Sequence, residues 1–188
     1  GPSIHWLSLP YRYEPEDVGT IGVVDAEDLC QDVGDEGGVT AVLRWNEATS
    51  TIIEHACGNP SPFALQAGQA YGIRRTPNWS LSANLAGGHD DALSFSIPAS
   101  GASQLSWVSV PYHLRNPSNH DPVTAGGLCE QIGSTELLAI VRYDSAAGVY
   151  RSYGCGSAFE LPFQVDAGEG LGLVNRGSQT ISWQPLHY

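Results

Sequence analysis

The chain contains no lysine and no methionine, and all eight of its basic residues are arginines. The absence of lysine excludes Schiff-base catalysis and the phosphate-binding loops that depend on a lysine. With 20 acidic residues the formal net charge is −12, so the chain lacks the basic face that nucleic acids and anionic membrane surfaces require. We therefore expect no nucleic-acid partner, and we interpret the acidity as a solubility feature.

Long apolar segments and common catalytic motifs are also missing. No apolar run approaches the roughly 20 residues of a membrane span, so no membrane insertion is expected. No secretory leader is visible, and we interpret the start at Gly1-Pro2-Ser3 as a processed end or a remnant of cloning. The chain has no C-x-x-C, which argues against a zinc ribbon, and no G-x-S-x-G or S-x-x-K nucleophile motif. These absences predict a protein that is not an enzyme.

What the chain does have is a duplicated sequence. Residues 6–11 (WLSLPY) return as 107–112 (WVSVPY), and residues 63–68 return as 163–168, both ending in Ala-Gly. Corresponding residues are 98 (Cys57 and Cys155) to 101 (Trp6 and Trp107) positions apart. This regularity predicts two homologous units. They cover residues 1–98, with an insertion at about 78–91, and 105–188, and residues 99–104 form the linker.

Each unit contains two cysteines at matched places, Cys30 and Cys57 in the first and Cys129 and Cys155 in the second. Duplicated pairs in a small acidic chain are typical of disulfides and of a secreted protein. All three pairings respect the repeat, so symmetry does not choose among them. We favour pairing within each unit, because each bond then closes inside its own half. Four buried free thiols in a cytosolic protein are the alternative.

The repeated segments predict the same element order in each unit, β-α-β-β-β-β. Asp25 and Thr124 are expected to cap a short helix at its N-terminus, and Gly34 and Gly133 to follow its last turn. A hairpin comes next, then a strand–glycine–strand segment over 63–73 and 163–174, and a final strand over 92–97 and 180–183. Gly72 and Gly172 mark a bulge or a close backbone approach.

The predicted fold class is therefore mainly β (α+β). The two tandem units form small sheets or partly closed barrels, each with one short helix and one disulfide. Either the units pack as a pseudo-dimer or their strands interleave into one larger barrel, and the sequence leaves both open. The duplicated Trp6 and Trp107 are expected in the core or between the units.

The order W-x-S-x-P-Y, short helix, Arg-aromatic-Asn/Asp and F-x-x-x-A-G-x-x-x-G resembles modules repeated in large secreted or surface proteins of bacteria. The resemblance covers both units, although this chain has Ala67 and Ala167 where such modules often have proline before the turn glycine. It implies a structural, adhesive or assembly role, and it brings no active-site residue.

Arg44 and Arg142 are matched charged residues inside apolar strands. An arginine in such a place is rarely unpaired. We expect an ion pair with a helix acid or hydrogen bonds to loop carbonyls. The alternative is a site for a carboxylate or a sugar.

The insertion and the acidic loops supply the other candidates. Trp79 is the candidate contact residue for a sugar or a protein neighbour, and Asn78 beside it begins an N-x-S sequon. His89, Asp90 and Asp91 form a metal-capable cluster, although neighbouring residues rarely fold onto one ion. No cofactor is predicted. Calcium is the remaining candidate, through a set of loop acids: Glu14, Glu16 and Asp17.

Together these features predict a non-catalytic extracellular or cell-surface structural protein. It would be a fibre-type subunit that assembles with copies of itself or with other surface proteins, because the duplicated residues are those of a fold and no chemistry is duplicated. The alternative is a module that binds carbohydrate or a cell-surface ligand. A secreted hydrolase is the third hypothesis.

Overall fold

The computed structural model describes residues 3–9, 12–13, 24–34, 38–77, 87–88, 94–99, 105–110, 123–133 and 135–185. Over these ranges the chain is mainly β, with two short helices, and both disulfides are formed. The predicted fold class is confirmed. Each unit builds a small open sheet, and neither of the described four-stranded sheets closes into a barrel.

The elements of the first half follow in the predicted order, except that two short strands, β2 (Arg12–Tyr13) and β6 (Gly87–Gly88), were not predicted. They are β1 (Ser3–Ser8), β2 (Arg12–Tyr13), α1 (Ala26–Gly34), β3 (Val39–Asn46), β4 (Thr51–Ala56), β5 (Ala70–Arg75), β6 (Gly87–Gly88) and β7 (Phe95–Ile97). The elements of the second half are β8 (Leu105–Ser109), α2 (Ala125–Ile132), β9 (Leu137–Asp144), β10 (Val149–Gly154), β11 (Gly170–Asn175) and β12 (Ile181–Trp183).

Each half forms its own four-stranded antiparallel sheet, and the two sheets have equivalent strand orders. The strand order is β1-β5-β3-β4 in the first and β8-β11-β9-β10 in the second. The predicted hairpins are β3–β4 and β9–β10, with turns at 47–50 and 145–148. A Cβ at Gly172 would come within 2.6 Å of Leu105 Cδ1, and a Cβ at the matched Gly72 within 3.2 Å of Leu43 Cβ. Both glycines therefore lie at a close approach between neighbouring strands.

The short final strands pair across the duplication. β7 and β12 form a separate two-stranded sheet in which Ser96 lies opposite Ser182. Their apolar side chains all join the core of the second unit: Phe95, Ile97, Ile181 and Trp183. The two units therefore share one sheet in addition to their own.

The helix caps agree with the sequence. Asp25 Oδ1 accepts hydrogen bonds from the amides of Glu27 (2.8 Å) and Asp28 (3.1 Å). Thr124 Oγ1 accepts from the amide of Gly127 at 3.1 Å. Each cap satisfies donors that the first helical turn leaves free.

The glycines that close the helices differ from each other. Gly133 follows α2 with a φ of 127°, as predicted. The prediction for Gly34 is wrong, because this residue is the last one of α1 rather than the one after it.

The prediction of a strand over residues 63–67 and 163–167 is also wrong. In the described ranges these segments pair with the residues at the start of each helix, through the bonds Ala26 N to Phe63 O and Leu65 N to Val24 O in the first unit and their equivalents in the second. Each pairing is an isolated bridge rather than a ladder. The tight turns after them are as predicted, with φ of 81° at Gly68 and 80° at Gly168.

Candidate functional site

The disulfides join Cys30 to Cys57 and Cys129 to Cys155. This is the favoured pairing within each unit. The helix cysteine lies on the buried stripe of α1 or α2, and its partner follows the edge strand β4 or β10. Each bond therefore fixes the helix to the outer edge of the sheet beneath it.

The two units meet at a junction built from the duplicated W-x-S motif. The indoles of Trp6 and Trp107 stack with ring centroids 4.3 Å apart and planes 11° apart. Both are buried and share a cluster with Ala70. The sequence prediction of core or inter-unit packing for these tryptophans is confirmed.

The serines of the same motif bind the Ala-Gly turn of the opposite unit. Each donates its amide and its hydroxyl to two successive carbonyls across the junction: Ser8 N to Gly168 O (2.8 Å), Ser8 Oγ to Glu169 O (2.7 Å), Ser109 N to Gly68 O (2.8 Å) and Ser109 Oγ to Gln69 O (2.9 Å). The junction is thus approximately two-fold. The motifs that define the repeat are also the ones that hold its two copies together.

A cavity of about 540 Å³ opens beside this junction. Its walls come from the end of β3 and the following turn (44–48), the turn at 66–69, the start of β7 (94–96) and residues 107–108 of β8. Both units line it, and Arg44 is one of the lining residues.

The second of the matched arginines, Arg142, is paired. Its Nη1 donates to the carbonyl of Gln164 at 3.1 Å, and its Nε lies 3.3 Å from Glu169 Oε1. The guanidinium also lies over the Phe163 ring at 5.4 Å. Burial raises the pKa of Glu169, despite an amide hydrogen bond from Asp166 and the nearby Arg142. The predicted carbonyl contact is present, and the acid partner belongs to a turn instead of a helix.

The first arginine, Arg44, has different surroundings. Its guanidinium lies over the Phe63 ring at 4.7 Å. The position equivalent to Glu169 is occupied by Gln69, a neutral residue. Among the described residues no carboxylate lies within ion-pair distance of Arg44, and its buried Nε has no hydrogen-bond partner there. The predicted ion pair with a helix acid is therefore not formed.

The Gln69 side chain makes two hydrogen bonds to other residues. Its Nε2 donates to the carbonyl of Trp45 at 3.2 Å, and its Oε1 accepts from the Tyr71 hydroxyl at 3.1 Å. Burial raises the pKa of Tyr71 to about 12, so the hydroxyl remains protonated and serves as the donor.

Sequence reasoning missed a second polar pair, Glu27 and His55. His55 Nε2 lies 2.8 Å from Glu27 Oε2, and the amide of Gly58 donates to the same oxygen at 2.8 Å. The second unit has Gly126 and Tyr153 at these positions, and the Tyr153 hydroxyl lies 3.4 Å from where a Cβ on Gly126 would be. In the sequence, the signal was that the two units differ at both of these positions.

Among the described residues this pair does not complete a zinc site. Glu27, Cys30 and His55 bring three potential ligand atoms within 4.8 Å of one another. The Cys30 sulfur is bonded to Cys57, so no thiolate is available. Two ligands remain, one fewer than catalytic zinc sites use.

An exposed apolar loop is the other feature that the sequence analysis did not identify. Phe159 and Leu161 are 98% and 94% exposed. Glu160 between them accepts the amide of Gly154 at 2.8 Å, and the Ser157 hydroxyl accepts the amide of Glu160 at 3.2 Å. The signal was loop length, because six residues (157–162) stand where the first unit has four (59–62).

Several candidates from the sequence lie outside the described residues. They are the contact residues Asn78 and Trp79, the cluster His89, Asp90 and Asp91, and the calcium candidates Glu14, Glu16 and Asp17. These remain predictions.

Neither helix in the described ranges is long and apolar enough to cross a membrane. Comparisons of the chain with protein-family models, with curated proteins and with solved structures find no match.

Proposed function

We propose that this chain is a non-catalytic extracellular structural protein that assembles with copies of itself or with other surface proteins through the outer edges of its two sheets. The observation behind the proposal is that, in the described part of the chain, β4 and β10 are the outer strands of their sheets and contain no lysine, no proline and no bulge. The disulfides favour an oxidising, extracellular setting.

The hydrogen-bond alternation shows which amides face outward. In β10 the amide of the following Cys155 donates to Leu138 O at 3.0 Å. Because inward and outward groups alternate along an antiparallel pair, the amides of Gly154, Ser152 and Tyr150 point away from β9. The Gly154 amide already donates a hydrogen bond to the Glu160 carboxylate. Those of Ser152 and Tyr150 are available to another strand.

The first unit repeats this arrangement. The amide of Cys57 donates to Thr40 O at 3.1 Å, so the amides of Ala56, Glu54 and Ile52 face away from β3. These outer edges contrast with β1 and β8, which meet the opposite unit through the bridges Leu7–Glu169 and Gln69–Val108.

Protein edges are commonly protected by charged side chains, above all lysine, by proline or by bulges. The chain has no lysine, β4 and β10 contain no proline, and both strands keep an unbroken register with their neighbours. Each strand carries one exposed charged residue, Glu54 in β4 and Arg151 in β10. Exposed apolar side chains also stand on them, with Ile52 43% and Tyr150 55% exposed. Phe159 and Leu161 lie next to the β10 edge, because Glu160 ties their loop to Gly154. These features suit addition of a strand from a neighbour.

The test is the assembly state of the oxidised protein, measured by mass photometry and negative-stain electron microscopy across concentration, with and without calcium. We expect regular oligomers or filaments. Ser152→Pro and Ile52→Pro each remove an outward amide without removing a bond to the neighbouring strand, so both should reduce assembly. Ser152→Ala and Ile52→Ala are the matched controls, and circular dichroism checks that each variant folds. A wild-type chain that stays monomeric under every condition would exclude assembly with copies of itself.

A binding role for a sugar or cell-surface ligand is the second candidate. The cavity beside the junction favours this role, since its lining combines aromatic and polar side chains with Arg44, which has no carboxylate partner among the described residues.

A further inference from the structure

The duplication supplies an internal comparison for the cavity. Arg44 and Arg142 occupy the same strand position, and each stacks on the phenylalanine of its own unit. The difference lies in one neighbouring residue, Glu169 in the second unit and Gln69 in the first. The second arginine has a carboxylate from its own chain, and the first has none among the described residues.

An arginine in this position needs a partner. Arg44 is only partly exposed, and no carboxylate lies within ion-pair distance of it in the described part of the chain. Its buried Nε makes no hydrogen bond there, and neither does the Nε of Arg142, so the carboxylate, not the Nε, distinguishes the two arginines. Leaving a charged group partly desolvated and unpaired is unfavourable. The place that a carboxylate would occupy adjoins a cavity lined by both Arg44 and Gln69.

The rest of the lining indicates what the carboxylate is attached to. Trp45 is a partly exposed aromatic side chain of the kind that packs against sugar rings, Phe95 and Trp107 are buried in the wall, and Asn46 and Gln66 provide amides that bind hydroxyl groups. The volume of about 540 Å³ falls in the range of roughly 300–1,000 Å³ found for small-molecule sites. Glu47, the one carboxylate among the lining residues described, would accept a hydroxyl and disfavour a second negative charge.

We infer that this cavity binds a monocarboxylated sugar of the hexuronic acid class, with Arg44 as the partner of its carboxylate. The ligand supplies in the first unit the charge that Glu169 supplies in the second. The inference does not depend on assembly through β4 and β10, because none of the residues that line the cavity belongs to either strand.

The experiment is an NMR titration of the oxidised protein with glucuronate, with glucose and with acetate at constant ionic strength. The arginine Nε–H and tryptophan Nε1–H signals report on Arg44 and Trp45 directly. We expect saturable shifts of both signals with glucuronate and at least tenfold weaker binding of either glucose or acetate. Working at a concentration where the protein is monomeric separates this result from the assembly proposal.

Two variants test the role of Arg44. Arg44→Gln removes the charge, and Gln69→Glu introduces the internal carboxylate that the second unit already has. Each should weaken glucuronate binding at least tenfold. Arg142→Gln is the matched control, because it changes the net charge as Arg44→Gln does but leaves the cavity intact, and its affinity should stay within twofold of wild type. Dispersed spectra establish that each variant is folded.

Three results would overturn the inference. Glucose or acetate binding as tightly as glucuronate would show that the sugar or the carboxylate is not recognised. Equal losses in Arg44→Gln and Arg142→Gln would show a general effect of charge. Shifts that never saturate would show that no site exists.

Discussion

Replacing Gly170 with alanine would place a methyl group where the two units approach each other most closely. The added Cβ would lie 2.8 Å from Ala70 Cβ and 3.2 Å from the backbone carbon of Trp6. Ala70 is the residue equivalent to Gly170 in the first unit, and it is fully buried in the junction. The junction therefore has room for one methyl group at this pair of positions and not for two.

The expected magnitudes follow from this geometry. Overpacking destabilises the folded state by about 1–3 kcal/mol. Alanine also reduces the conformational entropy of the unfolded chain, which stabilises the protein by about 0.4–1 kcal/mol, so Gly170→Ala should lower the free energy of unfolding by roughly 1–2 kcal/mol. Ala70→Gly loses a buried methyl, about 0.8 kcal/mol, and adds the cost of a strand glycine, about 0.5–1 kcal/mol. The double variant only moves the methyl to the other unit. The free energy of unfolding of the double variant should be within about 1 kcal/mol of the wild-type value, although the effects of the two single variants sum to about 3 kcal/mol.

Urea unfolding followed by tryptophan fluorescence measures these values, because Trp6 and Trp107 stack in the same cluster. Gly127→Ala is the matched control outside the junction. Its added Cβ would meet nothing closer than 3.7 Å, and α2 should gain about 0.5–1 kcal/mol from the better helix former. If the effects of Gly170→Ala and Ala70→Gly add to within about 0.5 kcal/mol in the double variant, the two positions do not share one space and the described junction is wrong.

Two further predictions concern the helix and the disulfide of each unit. Burial raises the pKa of Glu27, but hydrogen bonds from His55 and from the Gly58 amide outweigh it, so the folded pKa lies below the ordinary 4.5. The ionised Glu27 therefore stabilises the fold above pH 4.5, and this contribution is lost as the pH falls through the lower folded pKa. Glu27→Gln should make the free energy of unfolding depend less on pH in this acid range. The exposed control Glu130→Gln should leave that pH dependence unchanged. Replacing either cysteine pair with alanines should lower the free energy of unfolding by about 3.5 kcal/mol, since the pairs are 27 and 26 residues apart. Urea unfolding in which one pair has no effect would contradict this.

Local signals account for the parts of the fold that the sequence predicts. The capping residues Asp25 and Thr124 act on amides two or three positions away, and the hairpin turns join neighbouring strands. The pairing of β7 with β12 has no such signal, because its partner lies more than 80 residues away and both strands have three residues. The segments at 63–67 and 163–167 have the residue pattern of a strand, but among the described residues each makes one isolated bridge, to Asp25 and to Thr124 respectively, instead of a ladder.

The candidate site was predictable to the extent that the repeat marks it. Duplication singled out Arg44 and Arg142, yet their different partners depend on a single exchange, Gln69 for Glu169. The cavity next to Arg44 also requires the start of β7, whose position beside the junction no local pattern predicts. The exposure of Phe159 is a property of the folded surface, although the longer loop that presents it could be read from the sequence.

The two copies agree where they hold the fold together and differ where they offer something to another molecule. Both retain the stacked tryptophan, the serine that binds the opposite turn, and the disulfide. Among the described residues, the first copy leaves an arginine without a carboxylate beside a cavity, and the second presents a long apolar loop beside its edge strand. A duplicated fold needs both of its copies for the junction, so the shared residues cannot change independently. Because Gln69, Phe159 and Leu161 are outside that constraint, a substitution at any of them should alter binding or assembly more than it alters the free energy of unfolding.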